Sequence, residues 1–396
     1  AQYPPITNGV IMVMNVQTGA VLASVSLPNY DNNVWYNFTD ADAERLFNDP
    51  TRPLFHRAIS GAYPPGSTFK QFTAAAGLNY GVITPETRFF DPGFLIVKNE
   101  YNEALFNRYP NSGSVSNGLI NVSDALMVSS NVFFHIVGGG TDYVTNLKPG
   151  DPQVPNGVGI SNFYTMLVDE YGFNQPTGID LPGENKGTIP NSDWKKKILK
   201  KTWGVGDTYI AAIGQGDVAV TPLQLLQGTV ATANRGTVYQ PQVVKAIASL
   251  DRTQAITMTP IVKHQISLAP EYWNVIQEGM RRSVRDPSAY NRRANTNNKP
   301  AGDLLGDIDR FNLAGKTGTA EYDERGLRRS HSWFVGYAPF DNPEIAVVAL
   351  LEGTGDLGDG SGTLALPAVV DVMRAYYKQP VPDINGVPLP PPPASP

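Results

Sequence analysis

The sequence predicts an α+β fold: one antiparallel sheet assembled from both ends of the chain, with flanking helices and an inserted helical subdomain. Three observations carry the prediction. Runs with strand character lie at both ends, at 8–28 and again at 312–353. Segments with the 3.6-residue period of helices occupy the stretch between them. The strand runs at each end follow one another through short turns, and short connections join antiparallel neighbours.

In chain order, NGVIMVMNVQTGAVLASVSLP (8–28) is two β-rich runs around Gln17-Thr18-Gly19, a hairpin signal. Residues 29–56 read as polar and irregular. A helix opens at Ser67, because Phe69, Phe72 and Ala76 recur at the spacing of a half-buried helix after Pro64, Pro65 and Gly66. Residues 121–140 are helical on both sides of Ser129-Ser130-Asn131, with Ser123 as the cap and the glycines 138–140 as the stop. Residues 141–200 mix helix with Gly/Pro turns, and helices follow at 221–236 and 270–284. The segment 285–310 reads as a polar loop. Strands are expected at 312–322, 331–339 and 344–353, and a last helix at 363–377. No internal repeat is present. Residues 1–8 are taken as the remnant of an upstream linker, 9–378 as one domain, and the proline-rich 379–396 as an extended tail.

Composition bounds the function. The 396 residues are 17% charged and 41% hydrophobic, enough for a large core, and a net charge of −5 argues against a nucleic-acid partner. The absence of cysteine rules out disulfides, thiolate metal sites and a cysteine nucleophile. No apolar run reaches the ~20 residues of a membrane helix. A start at Ala1 without a signal peptide leads us to expect a piece of a longer protein.

The chemistry centres on YPPGSTFKQFTAAAGL (63–78), where Ser67 and Lys70 share a helix face because side chains three apart are neighbours. A serine hydroxyl is a poor nucleophile until a base removes its proton. Lys70 would serve if neutral, and burial against Phe69 and Phe72 lowers an amine pKa, as does the positive end of a helix. The same helix start offers unpaired N–H groups to an oxyanion. Alone, the spacing reads as a capping serine and a solvated lysine, and Ser192/Lys195 repeats it in a run of surface lysines. Two further elements change that weighting. Ser129-Ser130-Asn131 puts hydroxyls and an amide where a helix would carry apolar residues. Lys316-Thr317-Gly318-Thr319 lies in a strand, where a glycine often marks close approach of another backbone. A peptide pairing with that edge would present a carboxylate to Lys316 and the threonine hydroxyls.

Ser-x-x-Lys, Ser-x-Asn and Lys-Thr-Gly in this order are the signature shared by penicillin-binding proteins and class A β-lactamases. The chain resembles the transpeptidase domain of a class B penicillin-binding protein, from about residue 9 to 377. The stretches HRAISGAYPPGSTFK, TGIDLPGE, IGQGDVAVTPLQL and LAGKTGTAE carry the likeness. The stretch IPNSDWKKKILKKTWGVGDTYIAAIGQG looks most like the elongation-type branch, the penicillin-binding protein 2 group. The 187 residues between Ser129 and Lys316 exceed the spacing in compact β-lactamases, and no match to their Glu-bearing deacylation loop is found, although Glu184 lies in LPGEN.

The resemblance implies the penicillin-binding transpeptidase / serine β-lactamase-like fold and a set of roles. Ser67 attacks the carbonyl of a D-alanyl-D-alanine stem peptide, and Lys70 takes its proton. Ser129 relays a proton to the leaving amine, with Lys316 setting the local charge. Asn131 orients Lys70 and the substrate amide. Thr317 and Thr319, on either side of Gly318, bind the terminal carboxylate, and backbone N–H groups of Ser67 and Thr319 form the oxyanion hole. The acyl-enzyme would pass to an amine of a neighbouring stem peptide, cross-linking peptidoglycan, and β-lactams would acylate Ser67. A SEDS-type glycosyltransferase partner and an extracytoplasmic location behind an upstream membrane helix are implied as well. No cofactor is expected. Some relatives hold zinc through Asp, His and Cys; this chain has Asp91, no cysteine, and no histidine between 57 and 134, so no metal is expected. His56, His135, His264 and His331 form no HExxH pattern, no Gly-x-Ser-x-Gly elbow exists, and Trp333, Phe334 and Tyr337 read as core. Gly214-Gln215-Gly216 is a family marker to which the sequence assigns no chemistry. Two other readings stay open: a D,D-carboxypeptidase or β-lactamase on the same scaffold, and a non-catalytic β-lactam sensor or scaffold domain.

Overall fold

The structure is a computed structural model that describes residues 6–100, 102, 104–251, 253–286, 304–324, 327–354 and 362–378. Five strands form its main sheet: β1 (Gly9–Asn15), β2 (Val21–Leu27), β3 (Ala314–Glu324), β4 (Leu327–Ala338) and β5 (Ile345–Leu351). Their spatial order is β3-β4-β5-β1-β2, and every pair is antiparallel. The first strand therefore pairs with the last, Val10 opposite Leu350 and Met12 opposite Val348. This is the sheet expected from both chain ends.

Side-chain alternation gives the sheet two buried faces. Val10, Met12 and Met14 join the larger core, while Val13 packs with Phe334, Val347 and Ala349 on the other side. β5 is buried on both faces, which is why it reads as an unbroken apolar run.

Among the helices are α1 (Asp40–Phe47), α2 (Lys70–Asn79), α3 (Val122–Val128), α4 (Asn131–Gly139), α5 (Val205–Ala212), α6 (Pro222–Ala233), α7 (Pro270–Arg285) and α8 (Gly362–Tyr376). α6 packs on the larger-core face of β5 and β1, and α8 packs on β4 and β5. All twelve residues of α6 are buried, and a Thr221/Gln224 capping box with proline in its first turn opens it.

Several expectations shift. Residues 29–56 are not irregular throughout: α1 forms inside them on a Thr39/Asp42 capping box, with Leu46 as its one buried residue. A helix with so thin an apolar stripe leaves little periodicity to read. The cap of α3 is Asn121, in a box with Asp124, and Ser123 lies inside the helix. Part of the supposed 285–310 loop is helical, at Leu304–Arg310, while 287–303, like residues 1–5 and the tail 379–396, falls outside the described residues. Two small ribbons, Phe89–Asp91 with Gly118–Ile120 and Phe94–Lys98 with Phe106–Pro110, occupy a region where the sequence reading placed no element.

The largest difference concerns α2. Its period suggested a half-buried helix, yet Lys70–Leu78 are all buried. The helix runs through the interior, and its polar side chains reach other elements: Thr73 Oγ1 donates to Ala212 O (2.6 Å) and Gln71 Nε2 donates to Thr68 O (3.0 Å), while Gln71 Oε1 is buried without a partner.

The segment that leads into α2 is tied to the sheet. Tyr63 exchanges two backbone hydrogen bonds with Val220, each 2.9 Å. Its hydroxyl donates to Glu352, which also pairs with Arg57 at 3.3 Å. Trp333, fully buried on β4, donates from Nε1 to Pro64 O at 2.9 Å. Trp333→Phe keeps a buried ring but strips that carbonyl of its donor and leaves a small void. It is expected to lower unfolding stability by about 2–4 kcal/mol, measured by urea denaturation.

Candidate active site

A 3-10 turn, Gly66–Phe69, precedes α2, and Lys70 is the first α-helical residue. Ser67 was expected on an α-helical first turn; the tighter turn is the observed form. It has a consequence, because residues three apart eclipse in 3-10 geometry, which stacks Ser67 over Lys70. The Lys70 N–H closes the turn on Ser67 O. The Ser67 N–H sits at the second position of the turn, beyond reach of the turn's own carbonyls.

The Lys-Thr-Gly strand lies against this turn. β3 is an edge strand with β4 as its one sheet neighbour. A Cβ on Gly318 would sit 2.8 Å from Pro65 O and 3.1 Å from Thr68 N. A Cβ on Gly66, whose φ is +55°, would sit 2.3 Å from Thr319 O. Glycine at both positions lets the two backbones touch, as the sequence reading of Gly318 anticipated. Gly214 supplies the third side: it accepts from the Gly66 N–H at 2.8 Å, and any side chain there would strike Gly66 O. Gln215 Nε2 donates to Thr319 O at 3.0 Å. The Gly-Gln-Gly segment thus bridges the Ser67 turn and β3, a role the sequence did not reveal. Its one signal was a glutamine between two glycines that both take positive φ.

The second motif joins two helices end to end. Ser129 terminates α3 in the left-handed region (φ 59°), and Ser130 caps α4 by accepting from the Phe133 N–H. The kink brings Ser129 and Asn131 to Lys70. Lys70 Nζ lies 2.7 Å from Ser129 O, 2.7 Å from Asn131 Oδ1 and 3.3 Å from Ser129 Oγ. Lys316 Nζ reaches Ser129 Oγ at 2.9 Å from the opposite side and Thr317 O at 3.0 Å. The Ser129 hydroxyl therefore stands between two amines.

Both lysines are fully buried. Burial holds Lys70 well below the ordinary lysine value; the neighbouring Lys316 adds to the depression and Asp91 opposes it. Burial alone brings Lys316 to about 7. A neutral amine has two N–H donors and one lone pair. At Lys70 the donors go to the two acceptors at 2.7 Å, which leaves the lone pair for a proton.

These groups line one cleft of about 1100 Å³, whose walls include Ser67, Ser129, Asn131, Thr317 and Thr319. All eight sequence-selected residues converge there: six on its surface with Gly318, and the two lysines beneath. The sequence reading missed Tyr109, Asn111, Gln215 and Glu321, which share the lining. Ser192/Lys195, equal in spacing, does not line the cleft: Lys195 pairs with Asp207 at 2.5 Å. His331 is structural, stacked on Tyr322 at 4.3 Å and accepting from the Gly353 N–H, with its pKa lowered by burial to about 4. Trp333, Phe334 and Tyr337 are core. Glu184 accepts from the Thr177 and Gly178 N–H groups and closes a turn.

Asp91 does not suit a metal. The groups turned toward its carboxylate are the amides of Asn111 and Asn117, the Ser130 hydroxyl and the Gly93 N–H, all hydrogen-bond donors. Among the described residues, no three His, Cys, Asp or Glu side chains gather.

Lys316 yields a stability prediction. Between about 7 and the ordinary value of 10.5 it is neutral when folded but protonated when unfolded. The unfolded chain then binds more protons, so its contribution to stability grows as pH rises through that window. Unfolding free energies of the wild type should gain on those of Lys316→Met from pH 7 to 10, as read by denaturant titration at each pH.

Comparison with known proteins follows the same lines. Residues 9–374 match the penicillin binding protein transpeptidase domain family. Peptidoglycan D,D-transpeptidase MrdA of Haemophilus influenzae is 32% identical over 397 residues, 96% of this chain and 55% of that protein. A crystal structure of Pseudomonas aeruginosa PBP2 aligns at a TM-score of 0.76 and 30% identity, over 97% of this chain and 73% of that one. PBP2 of Helicobacter pylori, solved with MreC, aligns at 0.70 and 26%, over 94% and 60%. The chain spans about half the length of the curated relatives it matches. Since the match extends from the first strand of the sheet into its last helix, the chain belongs to the penicillin-binding protein transpeptidase domain family.

Proposed function

We propose that this chain is the cross-linking domain of a peptidoglycan D,D-transpeptidase of the penicillin-binding protein 2 type. The observation that carries the proposal is the buried Lys70 amine, with its donors engaged by Ser129 O and Asn131 Oδ1 and its position eclipsed with Ser67.

The donor stem peptide lies along the β3 edge, its terminal carboxylate against Thr317 and Thr319, above the buried Lys316 amine. Ser67 Oγ attacks the carbonyl carbon of the penultimate D-alanine, and the hydroxyl proton passes to Lys70 Nζ. The oxyanion is met by the N–H groups of Ser67 and Thr319, where one donor is worth about 3–4 kcal/mol. On collapse the C–N bond breaks and the leaving amine takes the Ser129 proton. Ser129 is resupplied from the amines on either side of it, at 3.3 and 2.9 Å. An acceptor amine then attacks the Ser67 ester, its proton goes to Lys70, and the Ser67 oxygen leaves as hydroxyl. A β-lactam follows the first half, but its leaving amine stays tethered and obstructs the acceptor.

The chain covers about half of its relatives, so the whole protein's setting is part of this reading. Residues 9–378 are the catalytic unit, 1–8 a linker remnant and 379–396 a tail. The unit works on the outer side of the cell membrane behind an upstream membrane helix. Its partners are stem peptides, a SEDS-type glycosyltransferase reached through upstream residues, and a protein like the MreC found with the Helicobacter pylori relative.

The test is intact-protein mass spectrometry with a penicillin over several hours. One adduct per chain, located on Ser67, lost in Ser67→Ala and slowed at least ~100-fold in Lys70→Ala, is the expected result. An adduct that persists in Ser67→Ala overturns the assignment. Release within seconds with hydrolysed antibiotic would replace it with the hydrolytic reading.

A further inference from the structure

Among the described residues, the Asp91 carboxylate accepts five hydrogen bonds, and the scheme above gives it no task. It is fully buried at the end of the Phe89–Asp91 strand. Its Oδ1 accepts from the Gly93 N–H (2.8 Å) and Asn111 Nδ2 (2.9 Å). Its Oδ2 accepts from Asn111 Nδ2 (2.8 Å), Asn117 Nδ2 (2.6 Å) and Ser130 Oγ (2.7 Å). Its main-chain oxygen accepts from Ser116 Oγ (2.7 Å) and the Asn117 N–H (3.2 Å). Every one of these partners is a donor, so the carboxylate acts here as acceptor alone.

The partners belong to two pieces of the cleft. Ser130 is the middle residue of the Ser129-Ser130-Asn131 motif. Asn111, Ser114, Val115 and Asn117 form one wall of the cleft. Asn111 joins the two pieces: its Oδ1 accepts the N–H groups of Asn131 (2.8 Å) and Val132 (3.0 Å) at the start of α4. Those bonds fix the orientation of its amide, which leaves its Nδ2 for Asp91 and for Val115 O (2.9 Å). A residue in the left-handed region costs free energy unless its surroundings hold it there. Ser129 is such a residue, and its neighbour Ser130 is held by Asp91.

We propose that Asp91 is a positioning residue for the acylation step: through Ser130 and Asn111 it locks the Ser129–Asn131 kink and the 111–117 wall, and so aims Ser129 O, Ser129 Oγ and Asn131 Oδ1 at Lys70. The clamp is made of a carboxylate, two amides and hydroxyls, with no metal. Asp91→Asn preserves volume but turns one acceptor into a donor that faces donors. The kink then relaxes, and Lys70 loses alignment while the substrate surface on β3 stays intact. This inference rests on the transpeptidase reading of the Ser67 site.

The experiment is stopped-flow acylation of the whole chain by a chromogenic or fluorescent penicillin. It compares the rate constant at saturation with the half-saturating concentration. For Asp91→Asn the rate constant should fall about 30–100-fold, the cost of a misplacement near 1 Å, while half-saturation moves less than about threefold. Final stoichiometry should stay at one label per chain, which separates misalignment from loss of folded protein. Ser130→Ala, which removes one bond to the clamp, should show the same split at about 5–10-fold. Asn117→Ala, which removes the bond between the wall and the Asp91 carboxylate, should show it at a smaller size and serves if Asp91→Asn does not fold. Wild-type rate constants in Ser130→Ala and Asn117→Ala, or in a folded Asp91→Asn, would overturn the inference. A wild-type chain that takes no label at all would overturn the transpeptidase reading itself, and the inference with it.

Discussion

The account depends on a lysine ammonium that the fold will not solvate. Lys70 is fully buried at the start of a helix running through the interior, and a second buried lysine approaches the same serine hydroxyl from the other side. Burial strips both amines of water, and the Lys316 charge further raises the cost of charging Lys70. The resolution is deprotonation, and a neutral amine beside a hydroxyl is a general base. The chemistry is thus a by-product of packing: the helix must be buried for the base to be neutral.

The rest of the architecture keeps that packing in place. Pairing the first strand with the last brings β3, more than 200 residues downstream in sequence, against the turn that carries Ser67. Contact between strand and turn requires glycine on each side, at 66 and 318, and a third at 214. Trp333 and the Arg57–Glu352–Tyr63 group hold the approach to the turn on the sheet side. Asp91 and Asn111 hold the second motif on the helical side. The cleft is the seam between these two assemblies.

Much of this was legible in the chain. The sheet from both ends followed from apolar runs and hairpin spacing, and the three motifs identified the cleft because each places polar groups where its element would ordinarily carry apolar ones. What stayed hidden was of another kind. Asp91 at a strand end and Asn111 and Gln215 in connecting segments look ordinary; their importance lies in contacts 20 to 104 positions away, and no local pattern encodes such contacts. The 3-10 form of the Ser67 turn was hidden because it differs from an α-helical turn by one hydrogen bond. Full burial of α2 was hidden because Gln71 and Thr73 look solvent-facing until their distant partners are known. Helix α1 was missed since its capping box is its main signal and its apolar stripe is a single residue.

The most direct measurement is the protonation state of Lys70 itself. Carbon-13 labelling of lysine side chains, with the Lys70 Cε resonance assigned by its loss in Lys70→Arg, allows the amine to be titrated by NMR in the free protein. The account predicts that the transition to the charged form is displaced well below the ordinary lysine range. A Lys70 resonance that keeps the ammonium shift up to about pH 10 would contradict it, because a protonated lysine has no lone pair with which to take the proton of Ser67.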